Sequence, residues 1–367
     1  MSRGVRGPKF IKMPHVEVEL EWERSLSKEF NVLTVGKIFR EGFECLVVGG
    51  SDGLITVYEI PKKTDEYNVS LKELIKLETK GGPIQALCLH DITKFGSVDL
   101  IVADSRGTLT FFGNKQILNK MTMSEGCIVS VAIDVDTAQN MSIVAGDSKG
   151  NIMGCLPHFM QWRLRLNDLM TSSNKGAAMA TVTSLLPIKL PTSSAVIGNY
   201  VLVADSNQTL HVLQNGVLVR NLDMPSTVNA MCAGYFLEGL DTGTSNSSHT
   251  SMLKGDSVQQ ISLGMEDGRI FIMSNFGLTL YANIKLTVTN MACCPSSTLD
   301  MLFCCGYFNS LLIYHCGILL HKIQTNDWIN SIHVVQNDEE DKHEHCVYVG
   351  ILDGSIQSYR VSMLTNV

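Results

Sequence analysis

The segment most suggestive of chemistry is His-Glu-His-Cys at positions 343–346, which follows an acidic run at positions 338–341. Two histidines separated by one residue point to the same side of a β-strand, and His333 could lie on the neighbouring strand. Histidine nitrogen is a common zinc ligand, so this grouping is one way to bind zinc. A solvated acidic loop that ends in a strand explains the same residues without a metal. We therefore predict no metal site and no cofactor.

Two pairs of adjacent cysteines, Cys293–Cys294 and Cys304–Cys305, lie in apolar runs. Zinc and redox sites use spaced cysteines, whereas adjacent residues on a strand face opposite sides, so packing is the predicted role of these thiols. The chain has 11 scattered cysteines, an odd number that favours reduced thiols and a cytoplasmic protein. The sequence shows no nucleophile or phosphate-loop motif, and we predict no catalytic residue and no enzyme activity.

The composition restricts the class of partner. The formal net charge is −7, and no basic stripe interleaved with aromatic residues marks a nucleic-acid surface. No run of about 18 apolar residues predicts a membrane span. Residues 1–15 are basic but lack the apolar run of a secretory signal, so we predict a flexible basic tail. Direct membrane insertion is not expected, and any association with a membrane would come through protein partners.

One pattern recurs seven times: an apolar run, a tight polar turn and a second run of alternating polarity. Successive turns are separated by 42 residues (Gly268 to Ser310) to 60 residues (Gln208 to Gly268). The pattern predicts a β-hairpin, flanked by further apolar strands, with glycine favoured in the turn because the backbone needs a positive φ. Four antiparallel strands at this period are typical of a propeller blade, so we predict an all-β, seven-bladed β-propeller. The predicted turn positions are Gly53, Gly107, Gly150, Gln208, Gly268, Ser310 and Gly354.

The two ends of the chain predict how the ring closes. We label the strands of each blade a, b, c and d from the centre outwards, and the seventh unit stops after strand c. A spare strand precedes the first unit, residues 16–22, in which Val16, Leu20 and Trp22 alternate with glutamates. It would complete the last blade as its strand d and remove an exposed edge. The predicted organisation is a tail (1–15), one propeller (16–361) and a second tail (362–367).

Three segments resemble FG-GAP repeats: residues 35–49, 91–103 and 131–147. The blades are similar to the propellers of intracellular FG-GAP-repeat proteins and of BBSome subunits. They are WD-like in architecture, although the Gly-His and Trp-Asp signatures of WD repeats are absent. Members of the two resembled groups act as scaffolds in multiprotein complexes at membranes, with no activity of their own. The resemblance therefore implies a scaffold.

The FG-GAP resemblance also raises the question of calcium. A calcium loop needs several carboxylates at alternate positions, because Ca²⁺ takes six to eight oxygen ligands. Asp134 and Asp136 fit that spacing, but Ala138 and Gln139 stand where the next acid and the turn glycine would fall. We predict a structural turn here.

The leading hypothesis for function is a non-catalytic protein-interaction scaffold, a subunit of a cytoplasmic complex in trafficking or signalling. Two alternatives stay open: a propeller enzyme with an active site in the central channel, and a sensor of calcium or another ligand. Mostly apolar a strands, such as residues 84–89, disfavour the enzyme. The b–c turns and d–a connections share one face of an antiparallel meander. The candidate partner-binding residues on that face are Asp52, Arg106, Lys149, Asn207, Asp267, Asn309 and Asp353.

The opposite face carries the a–b and c–d connections and is predicted to hold the long polar loops. These loops are residues 61–70, 238–257 and 337–344. The second of them is rich in Ser, Thr and Gly, and we predict that it is disordered.

Overall fold

The computed structural model describes residues 15–61, 70–169, 179–191, 197–238, 258–296, 299–336 and 344–364. Within these ranges the chain forms seven four-stranded antiparallel sheets and one short 3₁₀ turn, Leu166–Asp168. The all-β, seven-bladed fold predicted from the repeat is confirmed. No helix in the described part of the chain is long and apolar enough to cross a membrane.

The chain begins with β1 (His15–Ser25) and then forms six complete blades in sequence order. Blade one contains β2 (Phe30–Lys37), β3 (Glu44–Gly50), β4 (Leu54–Glu59) and β5 (Glu73–Glu78). Blade two contains β6 (Ile84–His90), β7 (Asp99–Asp104), β8 (Thr108–Gly113) and β9 (Gln116–Thr122). Blade three contains β10 (Ile128–Val135), β11 (Met141–Asp147), β12 (Asn151–Leu156) and β13 (Phe159–Arg165). Blade four contains β14 (Val182–Pro191), β15 (Ile197–Asp205), β16 (Thr209–Gln214) and β17 (Val217–Asp223).

The remaining strands complete the ring. Blade five contains β18 (Val228–Gly234), β19 (Gln260–Met265), β20 (Arg269–Ser274) and β21 (Gly277–Asn283). Blade six contains β22 (Val288–Cys294), β23 (Met301–Gly306), β24 (Phe308–His315) and β25 (Ile318–Gln324). Blade seven contains β26 (Ile329–Gln336), β27 (Glu344–Ile351), β28 (Ser355–Leu364) and, as its outer strand, β1. The chain therefore closes the ring with its own N-terminal strand, as predicted.

The closing strand pairs with β28 from His15 opposite Leu364 to Ser25 opposite Ser355. Val16 and Trp22 are buried as predicted, but a bulge between Leu20 and Trp22 changes the alternation. Leu20 is consequently 49% exposed, although the sequence pattern placed it with the inward residues. The bulge turns Glu21 towards β28, where Arg360 donates to its carboxylate at 2.6 and 3.0 Å. The last strand reaches Leu364, three residues past the expected boundary at 361.

The apolar core lies between the blades. Each of seven buried clusters joins residues of two neighbouring blades, and the cluster between blades seven and one contains Trp22, Tyr348 and Phe30. Every blade thus buries one face against each neighbour. This explains why the sequence repeats one blade pattern and why the strand at the chain start is needed to complete the seventh unit.

A repeated bulge ties the inner strands together around the channel. Each strand a has a register shift around its second residue. In three blades the bulged side chain donates to the first carbonyl of the next strand a: Asn31 to Ile84 at 2.9 Å, Thr183 to Val228 at 2.5 Å, and Asn330 to Phe30 at 2.9 Å. The last of these bonds crosses the closure of the ring. At these three junctions the inner strands are therefore linked by side chains as well as by the apolar core.

We call the side that carries the b–c turns and the d–a connections the b–c face, and the opposite side the a–b face. His15 and Leu364 pair at the a–b face, so the described chain enters and leaves there. The predicted long loops of the a–b face fall largely outside the described residues, at 62–69, 239–257 and 337–343. The basic tail before His15 also lies outside them.

Candidate protein-interaction face

The backbone of the b–c turns is rigid and repetitive. In five blades the amide of a positive-φ glycine donates to the carbonyl three residues earlier, over 3.0–3.3 Å. Gly107 shows why glycine is needed: a Cβ there would lie 2.0 Å from the carbonyl oxygen of Ser124. In blade four Gln208 occupies the equivalent position with φ 62. The turns therefore present the same backbone with different side chains.

Six of the seven candidate residues lie at these turns: Asp52, Arg106, Lys149, Asn207, Asp267 and Asp353. The prediction for blade six was wrong, because the tip of that turn is Tyr307 and neither Asn309 nor Ser310. An Asn-Ser pair is compatible with a turn. Here the hairpin closes earlier, since Gly306 pairs directly with Phe308. Asn309 lies inside β24, and its side-chain amide donates to the carbonyl of Asn326 at 3.3 Å.

The three candidate carboxylates close their own turns. The amides of Leu54, Arg269 and Ser355 donate to Asp52, Asp267 and Asp353 at 3.0, 3.1 and 2.8 Å, respectively. Asp52 also accepts a hydrogen bond of 2.6 Å from Lys28, which lowers the pKa of that carboxyl below its usual value. Asp267 forms an ion pair with Arg269 at 2.6 Å. The second carboxylate oxygen of Asp52 and of Asp267 is thus bound by a neighbouring base, whereas Ser355 binds only one oxygen of Asp353.

In blades two, three and four the carboxylate lies beneath the turn. Strand b ends there in a buried aspartate, namely Asp104, Asp147 and Asp205. Asp147 accepts from the amides of Lys149 and Asn151 at 2.9 and 2.8 Å, and also from the side chains of Asn151 and Ser124. In the sequence each of these caps appears as an Asp-Ser pair directly before the turn. The spacing of the turns alone does not reveal that the aspartate caps the turn.

Because a buried aspartate closes each of these three turns, the polar side chains at the tips are not needed to close them. Arg106 is exposed, Lys149 forms an ion pair of 3.6 Å with Glu125, and Asn207 is half-buried. In blade four His211 extends the cap, with its Nε2 at 2.9 Å from Asp205 and its Nδ1 at 2.8 Å from the side-chain oxygen of Asn221. This chain of polar groups fixes the turn and runs from the buried Asp205 to Asn221, which is exposed on the outer strand.

The sector of blades five to seven differs, because it presents large apolar side chains. Tyr307 is 57% exposed at the blade-six tip, and Trp328 is 41% exposed in the following d–a connection. Leu286 and Leu352 flank them and are about half exposed. Sequence reasoning missed all four, since they lie in four different connections and each is separated from the next by at least 21 residues.

The central channel is lined by half-buried a strands, as residues 84–90 of β6 illustrate. Thr34 and His333 meet there across blades one and seven, with 3.4 Å between Oγ1 and Nδ1. Burial lowers the pKa of His333 below its ordinary value and raises the pKa of Cys88 to about 11. At neutral pH both groups are therefore uncharged. A nucleophilic cysteine needs the opposite shift, which favours the thiolate.

The candidate zinc residues are not brought together as far as the structure describes them. His343 lies outside the described residues. His333 pairs with Tyr348 and His345 pairs with Gln336, so the two histidines are three positions apart along the ladder. That corresponds to about 10 Å, far more than two ligands of one zinc ion allow. Among the described residues, no group of three or more His, Cys, Asp or Glu side chains is placed to hold a metal.

The candidate calcium residues serve structural roles. Asp134 accepts a hydrogen bond of 2.6 Å from the side chain of Asn199, and burial raises the pKa of this carboxyl. Asp136 caps the a–b turn, accepting from the amide and the side chain of Asn140 at 2.8 Å each. Asp134 thus joins blade three to blade four, while Asp136 holds its own turn.

The adjacent cysteines pack in different cores. Cys304 belongs to the cluster between blades five and six, and Cys305 to the cluster between blades six and seven. Burial raises the pKa of Cys305 to about 12. Opposite orientation on one strand thus explains the pair, as predicted.

Comparison with known proteins adds to the description of the fold. No protein-family model and no curated protein matches this sequence. A solved structure of BBS1N in complex with ARL6DN, from a crystal soaked with mercury, has 10% identity and a TM-score of 0.66. The match covers 96% of this chain and 98% of the matched chain. The WD40 β-propeller domain of Doa1 has 12% identity and a TM-score of 0.64, over 94% of this chain and 97% of the domain.

These identities are too low to show more than the fold. The chain is a seven-bladed β-propeller whose structural neighbours include the BBS1 and WD40 propellers, in line with the predicted BBSome-like and WD-like architecture. The FG-GAP part of the resemblance stays a prediction.

Proposed function

We propose that this propeller is a non-catalytic interaction subunit of a cytoplasmic multiprotein complex, and that protein partners bind its b–c face. The observation that carries the proposal is the construction of that face. Seven short turns, most of them closed by a carboxylate or a glycine, hold exposed side chains on a closed ring. Such preorganisation lowers the entropic cost of association, which is what a docking platform requires.

The structural neighbour BBS1N supports the same function, because it was crystallised in complex with ARL6DN. The candidate contact residues of this chain are Asp52, Arg106, Lys149, Asn207, Asp267 and Asp353 at the turns, with Asn309 below the blade-six tip. Their charges are mixed, which suits selective recognition of protein surfaces more than uniform attraction to nucleic acid. Contact with a membrane would come through the partners.

The thiols support the proposed compartment and the absence of catalysis. None of the 11 cysteines, all of which lie in the described ranges, forms a disulfide, and five of them are buried. Burial raises the pKa of Cys45 and Cys346 to about 11 each and that of Cys155 to about 12. Protonated thiols outside disulfides suit a reducing environment and a structural role.

The test is affinity purification from the source cells, followed by quantitative mass spectrometry. A tag at either end is suitable, because His15 and Leu364 lie on the a–b face, away from the proposed contact surface. We expect a stoichiometric set of co-purifying proteins that is reduced in a variant carrying Arg106→Ala and Lys149→Ala. Lys76→Ala with Lys322→Ala, on outer strands, is the matched control. A clean monomer under gentle conditions would refute the proposed function.

A further inference from the structure

Four exposed apolar residues lie at neighbouring positions on the b–c face, and we call them the blade-six patch: Leu286, Tyr307, Trp328 and Leu352. The rings of Tyr307 and Trp328 lie with their centroids 5.0 Å apart, inclined at 37°. Leu286 precedes Thr287, whose carbonyl accepts from the amide of Tyr307 at 3.1 Å. The amide of Leu352 donates to the carbonyl of Trp328 at 2.9 Å. Backbone contacts thus connect all four positions across blades five, six and seven.

The patch is held rigidly in its exposed position. Gly306 lets the blade-six turn approach its neighbour closely, because a Cβ there would lie 1.8 Å from the carbonyl oxygen of Thr287. Asp327 accepts from the amide of Trp328 at 2.7 Å, and the hydroxyl of Thr325 donates to the carbonyl of Asp327 at 2.8 Å. These contacts fix the backbone of both aromatic residues, and their rings pack against each other. Rigid, exposed tyrosine and tryptophan are the residue types that most often dominate protein interfaces.

The charges around the patch are mainly negative. Asp327 and Asp353 adjoin Trp328 and Leu352 in sequence, and the backbone of Glu266 accepts from the hydroxyl of Thr287 at 2.7 Å. None of these three carboxylates forms an ion pair with another described residue. Lys285 is one neighbouring base, and Arg269 of the adjacent blade-five turn is paired with Asp267. An apolar centre with an acidic rim is complementary to an apolar segment that carries lysine or arginine.

We propose that the blade-six patch docks a short segment of a partner protein. The segment places aromatic or aliphatic side chains against Tyr307 and Trp328, and Lys or Arg next to Glu266, Asp327 and Asp353. This inference rests on the proposed function and deepens it, since it assigns one sector of the b–c face and the chemistry of its occupant.

The test is selection of random dodecapeptides, displayed on phage, against the full-length protein. We expect enriched peptides that combine apolar anchors with Lys or Arg and whose affinity falls as the ionic strength rises. The double variant Tyr307→Ser with Trp328→Ser should weaken binding by at least about tenfold, as loss of interface hot spots does. Glu266→Lys tests the acidic rim separately and should weaken binding several-fold. Val217→Ser is the control, because Val217 is 67% exposed on an outer strand.

Several outcomes would overturn the proposal. Peptides that bind the double variant as well as the wild type would place recognition elsewhere, and enrichment of acidic peptides would contradict the charge argument. A concentration-dependent dimer that the double variant abolishes would make a second copy of the chain the occupant. Absence of any enriched peptide also counts against the site. Thermal melting of both variants checks that they fold, and Glu266→Lys remains informative if the double variant does not.

Failure of this inference is distinguishable from failure of the proposed function. If the co-purifying proteins of the wild type are all retained by the double variant, the chain is a complex subunit that does not use the blade-six patch. If the wild type has no stoichiometric partner, the proposed function itself fails.

Discussion

In blades two, three and four, strand b ends in an aspartate that lies under the b–c turn and accepts its amide hydrogens. In blades five, six and seven, strand b ends in Met265, Gly306 and Ile351 instead. Blades five and seven then place the carboxylate at the tip, as Asp267 and Asp353, and blade six relies on glycine alone. The backbone path of the turn is similar in blades two to five and in blade seven, but the carboxylate that closes it has moved from the interior to the tip in blades five and seven.

The move has a consequence for the surface chemistry. Where the cap is buried, hydrogen bonds from the turn satisfy its carboxylate, and the tip can carry any polar side chain, such as Arg106 or Asn207. Where the cap is at the tip, a carboxylate stays exposed beside the d–a connections, and in this protein those connections carry Leu286 and Trp328. The sector of blades two to four is therefore polar at its tips, whereas the sector of blades five to seven is acidic and apolar. The second sector exposes large apolar side chains that a partner protein would bury.

The largest effect we expect concerns blade seven, which is formed by the first described strand and the last three strands of the chain. Deletion of residues 1–26 removes β1, exposes the edge of β28 and uncovers the pockets of Val16 and Trp22. Burial of such side chains contributes about 1.5–3 kcal/mol each. Because total stabilities of domains are about 5–15 kcal/mol, this protein should unfold or aggregate.

Deletion of residues 1–12, which leaves β1 intact, is the control and should melt like the full chain. The two truncations are compared by thermal melting and by solubility. Equal melting temperatures would show that the ring does not depend on its N-terminal strand.

The repeat made the blade count and the closing strand predictable, because each blade buries two faces and so repeats its apolar pattern. It could not predict local changes of register. The sequence around Glu21 alternates regularly, yet a bulge turns that carboxylate inward to Arg360, since a buried charge is stable when paired. In blade six the close approach of Gly306 to Thr287 decides where the turn falls. That contact is tertiary and leaves no local signal.

The candidate site was also predictable only in part, because it too depends on contacts between residues that are distant in sequence. Turn residues are polar by type, so six tips could be identified from their spacing. The blade-six patch is assembled from four connections distant in sequence, and each contributes one apolar residue. Only the ring geometry brings Tyr307 and Trp328 into contact.

A pair of substitutions tests the difference between the two kinds of cap directly. Asp147→Ala should reduce the free energy of unfolding by about 3 kcal/mol, because it leaves several buried donors without an acceptor. Asp353→Ala should cost about 1 kcal/mol or less, since water can replace the exposed carboxylate. Chemical denaturation of both variants measures the two values. Equal losses would mean that burial of the cap is irrelevant to the stability of the turn.

Blade six offers a second pair, in which glycine is the critical residue. Gly306→Ala should destabilise the protein by about 2 kcal/mol, because its Cβ would overlap a fixed backbone carbonyl. Gly277→Ala is the matched control: its Cβ would meet nothing closer than the carbonyl of Ser274 at 3.4 Å. The control should be neutral or slightly stabilising, through the entropy of the unfolded chain. A neutral Gly306→Ala variant would show that the turn at Tyr307 is not held as described.

The smallest effect is a pH dependence at blade one, whose exposed cap resembles those of blades five and seven. The hydrogen bond from Lys28 lowers the pKa of Asp52 in the folded state. A carboxyl with a lowered pKa favours the folded state above its unfolded pKa, near 4, and this contribution disappears as the pH falls through the folded value. Lys28→Ala should therefore lower the melting temperature slightly at neutral pH and not at all in strong acid. The difference should also shrink with added salt, because surface ion pairs are weak and screened. A difference that persists at low pH would mean that Lys28 acts by packing and not through the charge of Asp52.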